Sequence, residues 1–214
     1  MSRQEWLNSR KRGIGGSDAA AVFGQNPYMT NVELWEIKTG RREQADISDK
    51  ECVKFGVAAE GFIRELFALD NPEYKIVNEP FKIYENPQYP FIIGTFDGII
   101  EDGKTWQTGL LEIKTGTIRR ASDWNKWGDN IMPQNYYIQI LHYFLVREDF
   151  EFAVLKARLT EKKYNGGRDV IHIKQYDIKR SDCLSDMEML LKAEQEFWNC
   201  VESDTPPPMI IRGV

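Results

Sequence analysis

The sequence predicts a mixed α/β (α+β) domain in which a central mixed β-sheet is flanked by helices, and three observations point there. Short apolar runs with a two-residue alternation occur over 91–100, 110–114, 150–159 and 170–178, the period of strands with a buried face. Apolar residues recur at three- and four-residue intervals over 49–70, 133–147 and 182–201, the period of amphipathic helices. Nothing divides the chain: its 214 residues are 42% apolar and contain no linker, repeat or low-complexity run. A single domain over 1–214, with one core, is therefore expected.

Near the start, Arg10-Lys11-Arg12-Gly13-Ile14-Gly15-Gly16-Ser17-Asp18 combines a basic run, glycines and a Ser-Asp pair able to cap a helix through Phe23. Such a turn presents backbone N–H groups to anions. It is not a nucleotide-cradling loop, because no Gly-Lys-Ser/Thr follows the glycines and no strand precedes them. The helix over 49–70 carries Val53, Val57, Phe62, Ile63, Leu66 and Phe67, with Glu60 one turn after Gly56 on the same face. Glycine there lets another segment approach closely. Alone, Glu60 reads as a solvated helix glutamate.

Two strands follow. Phe91–Ile100 and Leu110–Lys114 flank the turn Asp102-Gly103-Lys104, which predicts an antiparallel hairpin with Asp97 lying near Glu112. Glu112 and Lys114 share one strand face; Leu111 and Ile113 share the other. Two carboxylates and an ammonium in one place suit phosphodiester hydrolysis. The carboxylates hold hard Mg²⁺ or Mn²⁺, and the lysine orients water and offsets transition-state charge. A solvated hairpin face with a cross-strand ion pair has the same pattern.

Pro133 opens a helix to about Arg147, with Tyr136, Gln139 and Tyr143 along one face and Tyr137, Leu141, Phe144 and Leu145 on the core side. Gln139 fits either a contact to a scissile phosphate or its water, or an interhelical hydrogen bond. Before it, 117–133 lacks periodicity and holds Trp124 and Trp127. These suit stacking on unpaired bases or filling a core edge or subunit contact. Phe150–Leu159 and Val170–Ile178 read as strands around the turn Asn165-Gly166-Gly167, widening the sheet, and the last helix stops at Thr205-Pro206-Pro207-Pro208.

Composition narrows the chemistry. Cys52, Cys183 and Cys200 are odd in number without metal-ligand spacing, and His142 and His172 are the only histidines. A zinc site or a histidine-based triad is therefore disfavoured. Neither a secretory leader nor a membrane span is visible, so a cytoplasmic protein with free thiols is expected. The net charge of −5 argues against a DNA-coating protein, although Arg10–Arg12 and Arg119–Arg120 make local basic clusters.

In their order, these motifs resemble a known family. They are Gly13-Ile14-Gly15-Gly16-Ser17-Asp18, Asn26-Pro27-Tyr28 with Leu34-Trp35-Glu36-Ile37-Lys38-Thr39-Gly40, Gly56 with Glu60, Asp97-Gly98, Glu112-Ile113-Lys114-Thr115, and Pro133, Tyr136 and Gln139. Over about residues 10–147 the chain resembles the YqaJ-like viral recombinases, which include the phage lambda exonuclease type of the PD-(D/E)xK nuclease superfamily. The resemblance implies a restriction-endonuclease-like core. It implies that Asp97, Glu112 and the Ile113 carbonyl bind the catalytic Mg²⁺, for which Mn²⁺ can substitute, and that Glu60 completes the acidic site. By the same carry-over Lys114 activates water, Gln139 holds the nucleophile, and Arg12, Ser17 and Tyr136 meet the substrate.

The activity so implied is a 5′-to-3′ exonuclease acting on double-stranded DNA ends and leaving 3′ overhangs for a single-strand annealing protein. A homo-oligomer, a trimeric ring, comes with it. The same metal site also serves endonucleases of restriction or repair type. A third reading is an inactive DNA-end-binding module, against which the complete set Glu60, Asp97, Glu112 and Lys114 speaks.

Overall fold

The computed structural model describes residues 3–163 and 167–210, so Asn165-Gly166 of the expected turn lies outside the described residues. Helices α1 (Arg3–Ser9), α2 (Gly16–Val22), α3 (Asn31–Lys38) and α4 (Glu51–Asp70) precede strands β1 (Tyr74–Val77), β2 (Tyr84–Glu85), β3 (Ile93–Gly94), β4 (Gly98–Asp102) and β5 (Thr108–Ile118). Then come α5 (Gln134–Val146), β6 (Phe150–Glu161), β7 (Val170–Lys179) and α6 (Leu184–Glu202). The main sheet has the order β1-β4-β5-β6-β7, and β2 and β3 form a separate pair. Only β5 and β6 run parallel in it. They are joined through α5, as a parallel connection requires.

The expected mixed sheet flanked by helices is what forms, with α1, α3, β1 and β2 added to the elements read from the sequence and two of the expected segments altered. The run 91–100 is not one strand: β3 pairs with β2, β4 joins the main sheet, and Thr95-Phe96-Asp97 breaks the chain between them. Phe96 explains the break, since its ring turns into the core against Tyr84, Tyr143 and Phe150. The second difference is in 117–133. Strand β5 runs on to Ile118, and Ala121–Lys126 is a 3₁₀ turn. Trp127 is buried against Tyr136 and Tyr176, and Trp124 packs edge-on against His172. Both indoles fill a core edge.

Strand β5 is central and covered on both faces, which accounts for its nearly unbroken burial from Gly109 to Ile113. Leu111 and Ile113 pack with Val154, Ile100, Ile63 and Phe67 under α4. On the other face Leu110 and Leu155 meet Ile140, Phe144 and Leu145 of α5. Helix α5 is buried on all sides from Ile138 to Val146, so its expected division into a polar and a core face does not hold. One histidine fixes its position. His142, fully buried, bonds Glu194 Oε1 of α6 through Nδ1 (2.7 Å) and the Ile93 carbonyl of β3 through Nε2 (2.8 Å). Burial pulls the imidazole pKa down, but Glu194 and the carbonyl outweigh it and hold it above its ordinary value.

Phe144 is completely buried between the sheet and α6. Phe144→Ala should lower unfolding stability by about 3–5 kcal/mol through lost contacts and a residual cavity, read from urea denaturation midpoints. A change under about 1 kcal/mol would contradict this account of the core.

Candidate active site

The pairing of β4 with β5 sets the geometry. Gly98 lies opposite Leu111, so the residue before β4, Asp97, falls opposite Glu112, as the hairpin pattern predicts. Asp97 Oδ2 accepts the Ile113 N–H at 2.7 Å. Glu112 and Lys114 project from the same face of β5, and Lys114 Nζ donates to Glu112 Oε1 at 2.5 Å. The same oxygen accepts Gln139 Nε2 of α5 at 2.8 Å. Glu112 is 2% exposed, and its Oε2 is buried without a hydrogen-bond partner. Lys114 lies 5.0 Å from the Tyr136 ring centroid.

Glu60 joins from α4, set further back. Arg64 Nη1 donates both to Glu60 Oε1 (2.9 Å) and to the Asp97 carbonyl (2.6 Å), tying the helix to the Asp97 turn. Gly56 serves the approach of this helix, because a Cβ there would stand 3.2 Å from Thr115 Oγ1 of β5. No cluster of three or more His, Cys, Asp or Glu close enough to share an ion occurs among the described residues. The arrangement is two carboxylates at the centre with a third behind.

These groups strain one another. Burial, then Asp97 and Glu60, push the Glu112 carboxyl up to about 8. Burial also raises Asp97, against the pull of Lys114, the Ile113 N–H and Arg64. Glu60 is raised by burial and by Asp97. Burial alone would lower Lys114; Glu112 and Asp97 hold it above its ordinary value.

The glycine-rich turn comes beside this cluster. Ser17 is exposed, and Arg10 Nη2 donates to its Oγ at 2.7 Å. The structure thus joins Ser17 to Arg10 rather than to Arg12, which is exposed on the 3₁₀ turn after α1. The seven-residue spacing of Arg10 and Ser17 was visible, but the basic run Arg10-Lys11-Arg12 offered three cations, and the sequence reading named Arg12. The cap also differs: Gly15 is the N-cap of α2, and Asp18 accepts its N–H at 3.1 Å while paired with Lys38. Tyr143, one helical turn from Gln139, accepts Gln139 Nε2 at 2.9 Å. A cleft of about 630 Å³ lined by Tyr84, Ile99, Thr108 and Arg147 includes none of these residues.

A mixed sheet flanked by helices is the fold of two solved exonucleases. The alkaline exonuclease LHK-Exo of Laribacter hongkongensis superposes with a TM-score of 0.62 over 94% of this chain and 93% of its own, at 15% identity. A phage-related exonuclease of Haemophilus somnus 129PT gives 0.52 over 90% and 96%, at 13% identity. Residues 5–151 match the YqaJ-like viral recombinase domain, and the chain belongs to that family. An uncharacterized YqaJ protein of Bacillus subtilis (strain 168) is 34% identical over 200 residues, 93% of this chain. The chain spans only 56% of that relative's length.

The raised Glu112 pKa has a sign that can be tested. The folded state holds the proton more tightly than the unfolded chain, so this stabilising contribution is complete below the ordinary value of 4.5 and lost as pH rises through about 8. In EDTA, stability should fall between pH 5 and 8.5, and Glu112→Gln should flatten that slope in urea titrations. An unchanged slope would contradict the crowding of carboxylates described here.

Proposed function

We propose that this protein is a Mg²⁺-dependent DNA exonuclease, resecting linear duplex DNA from its 5′ ends to leave 3′ overhangs. The observation that carries the reading is Glu112. It is a buried carboxylate on the central strand, beside Asp97 and bonded by Lys114 and Gln139, with one oxygen left without a partner. A buried anionic oxygen is costly unless something positive meets it. Hard oxygen donors, few in number, suit Mg²⁺, which keeps most of its waters when protein-bound.

In this reading Asp97, Glu112 and the Ile113 carbonyl would hold the cation, with Glu60 set behind them. When bound, the ion supplies charge to the phosphate oxygens and acidifies a water. Lys114 would orient an attacking water and offset negative charge developing on the phosphate oxygens. Gln139, anchored by Glu112 and Tyr143, fixes the position of the nucleophile. Arg10 and Ser17 receive the terminal phosphate, and Tyr136 flanks Lys114 on the substrate side. The polarity, the annealing partner and the ring of three subunits rest on the family resemblance. No described helix is long and apolar enough to cross a membrane.

Two experiments test this. Duplex DNA labelled at each end, incubated with Mg²⁺ or EDTA beside a closed circle, should lose its 5′-ended strands only with metal, and the circle should survive. Asp97→Asn and Lys114→Ala should each slow this by more than about a hundredfold. A nicked circle would indicate an endonuclease, and full activity of either variant would refute the site. Separately, millimolar Mg²⁺ or Mn²⁺ should raise the melting temperature of the wild type, since an ion that binds only the folded state stabilises it. Asp97→Asn should lose that shift. An equal shift in the variant would remove Asp97 from the cation site.

A further inference from the structure

We propose that Tyr143 is itself a substrate ligand, its hydroxyl donating to the terminal phosphate that Arg10 and Ser17 flank. The inference rests on the nuclease reading above and adds a residue that joins the anion turn to the carboxylate centre. Gln139 supplies the first step. Its amide nitrogen lies 2.8 Å from Glu112 Oε1 and 2.9 Å from Tyr143 Oη. A carboxylate oxygen already accepting Lys114 can only accept, so the amide NH₂ faces it and spends its two protons on Glu112 and Tyr143. The phenol oxygen is therefore an acceptor, and its own proton is free for a further partner.

Among the described residues that proton makes no hydrogen bond, although Tyr143 is 5% exposed. A buried hydroxyl without an acceptor is unfavourable and calls for an explanation. Burial, then Glu112 and Asp97, hold the phenol well above its usual range, so it remains a donor.

Location indicates the acceptor. A Cβ on Gly16 would lie 2.7 Å from Tyr143 Oη, and a Cβ on Gly15 would lie 3.5 Å from Arg10 Nη2. The phenol and the guanidinium thus reach consecutive residues of one turn, and Arg10 in turn holds Ser17. Asp18 Oδ2 borders the same turn, 3.5 Å from a Cβ on Gly15, but is paired with Lys38 at 2.7 Å; hydroxyl, guanidinium and serine remain to receive an anion, and a doubly charged terminal phosphate would accept charge-assisted bonds from all three. Gly16 is glycine because any side chain would fill the place of the ring, which would stand 2.5 Å from its Cβ.

The test uses Tyr143→Phe, which keeps the ring against Phe96 and Gly94. Binding to a blunt hairpin duplex carrying a 5′-phosphate or a 5′-hydroxyl is measured in EDTA by fluorescence anisotropy, beside the melting temperature of each protein. The wild type should prefer the phosphorylated end, and the variant should lose about tenfold of affinity for that end alone, with its melting temperature unchanged. The proposal is overturned if the variant keeps the wild-type preference, if it weakens on both ends equally, or if the wild type shows no preference. Cleavage of the same duplexes by wild type in Mg²⁺ reports the nuclease reading independently. A phosphate preference that depends on Tyr143 without cleavage would sink only that reading.

Discussion

Two carboxylates, Asp97 and Glu112, face each other across a strand pair where water is scarce, and their repulsion is the constraint around which the surrounding structure is built. Charges in a poorly solvated place interact strongly and are poorly screened. The protein answers with a cation from the same strand (Lys114), an amide from the covering helix (Gln139), a backbone N–H from Ile113, and a guanidinium (Arg64) that binds the Asp97 carbonyl. These groups come from three elements distant in the chain, β5, α5 and α4. The site exists only when β4, β5, α4 and α5 have all reached their final places.

That dependence explains where the apolar contacts are spent. β5 is packed on both faces, by Leu111 and Ile113 against α4 and by Leu110 against α5. A strand held from both sides cannot slip by one residue, a shift that would send Glu112 to the opposite face. The unpartnered Glu112 oxygen shows that the compensation stops short of completion. Glu194 Oε2, beside His142, is likewise buried without a partner, so what distinguishes the Glu112 oxygen is its place beside Asp97 and Lys114.

Much of this was legible in the sequence. The hairpin register followed from a two-residue period and an Asp-Gly-Lys turn, which is enough to bring Asp97 to Glu112. The order of the longer helices and strands followed from the change of period, while the short elements α1, α3, β1 and β2 left no period long enough to read. The break at Thr95-Phe96-Asp97 was hidden because Phe96 keeps the apolar pattern while its backbone leaves the sheet. The pairing of Ser17 with Arg10 was hidden for a different reason: three adjacent cations look alike until α1 and the following turn fix their directions. Tyr143 read as one of several aromatics on a helix. Its importance comes from Gly16 and Gly94, distant in sequence, which make room for its ring.

The His142 pair has a bearing on how such a domain is divided during evolution. The family match ends at residue 151, before α6, yet Glu194 of α6 closes on the histidine that lies between Gln139 and Phe144 on α5. The segment carrying the recognisable motifs is thus not an autonomous module. Its central helix takes a buried hydrogen bond from a segment outside the matched residues. Lineages that vary the tail are free to do so only while some group there still answers an imidazole shut away from water. The boundary drawn by sequence similarity and the boundary drawn by electrostatics fall in different places.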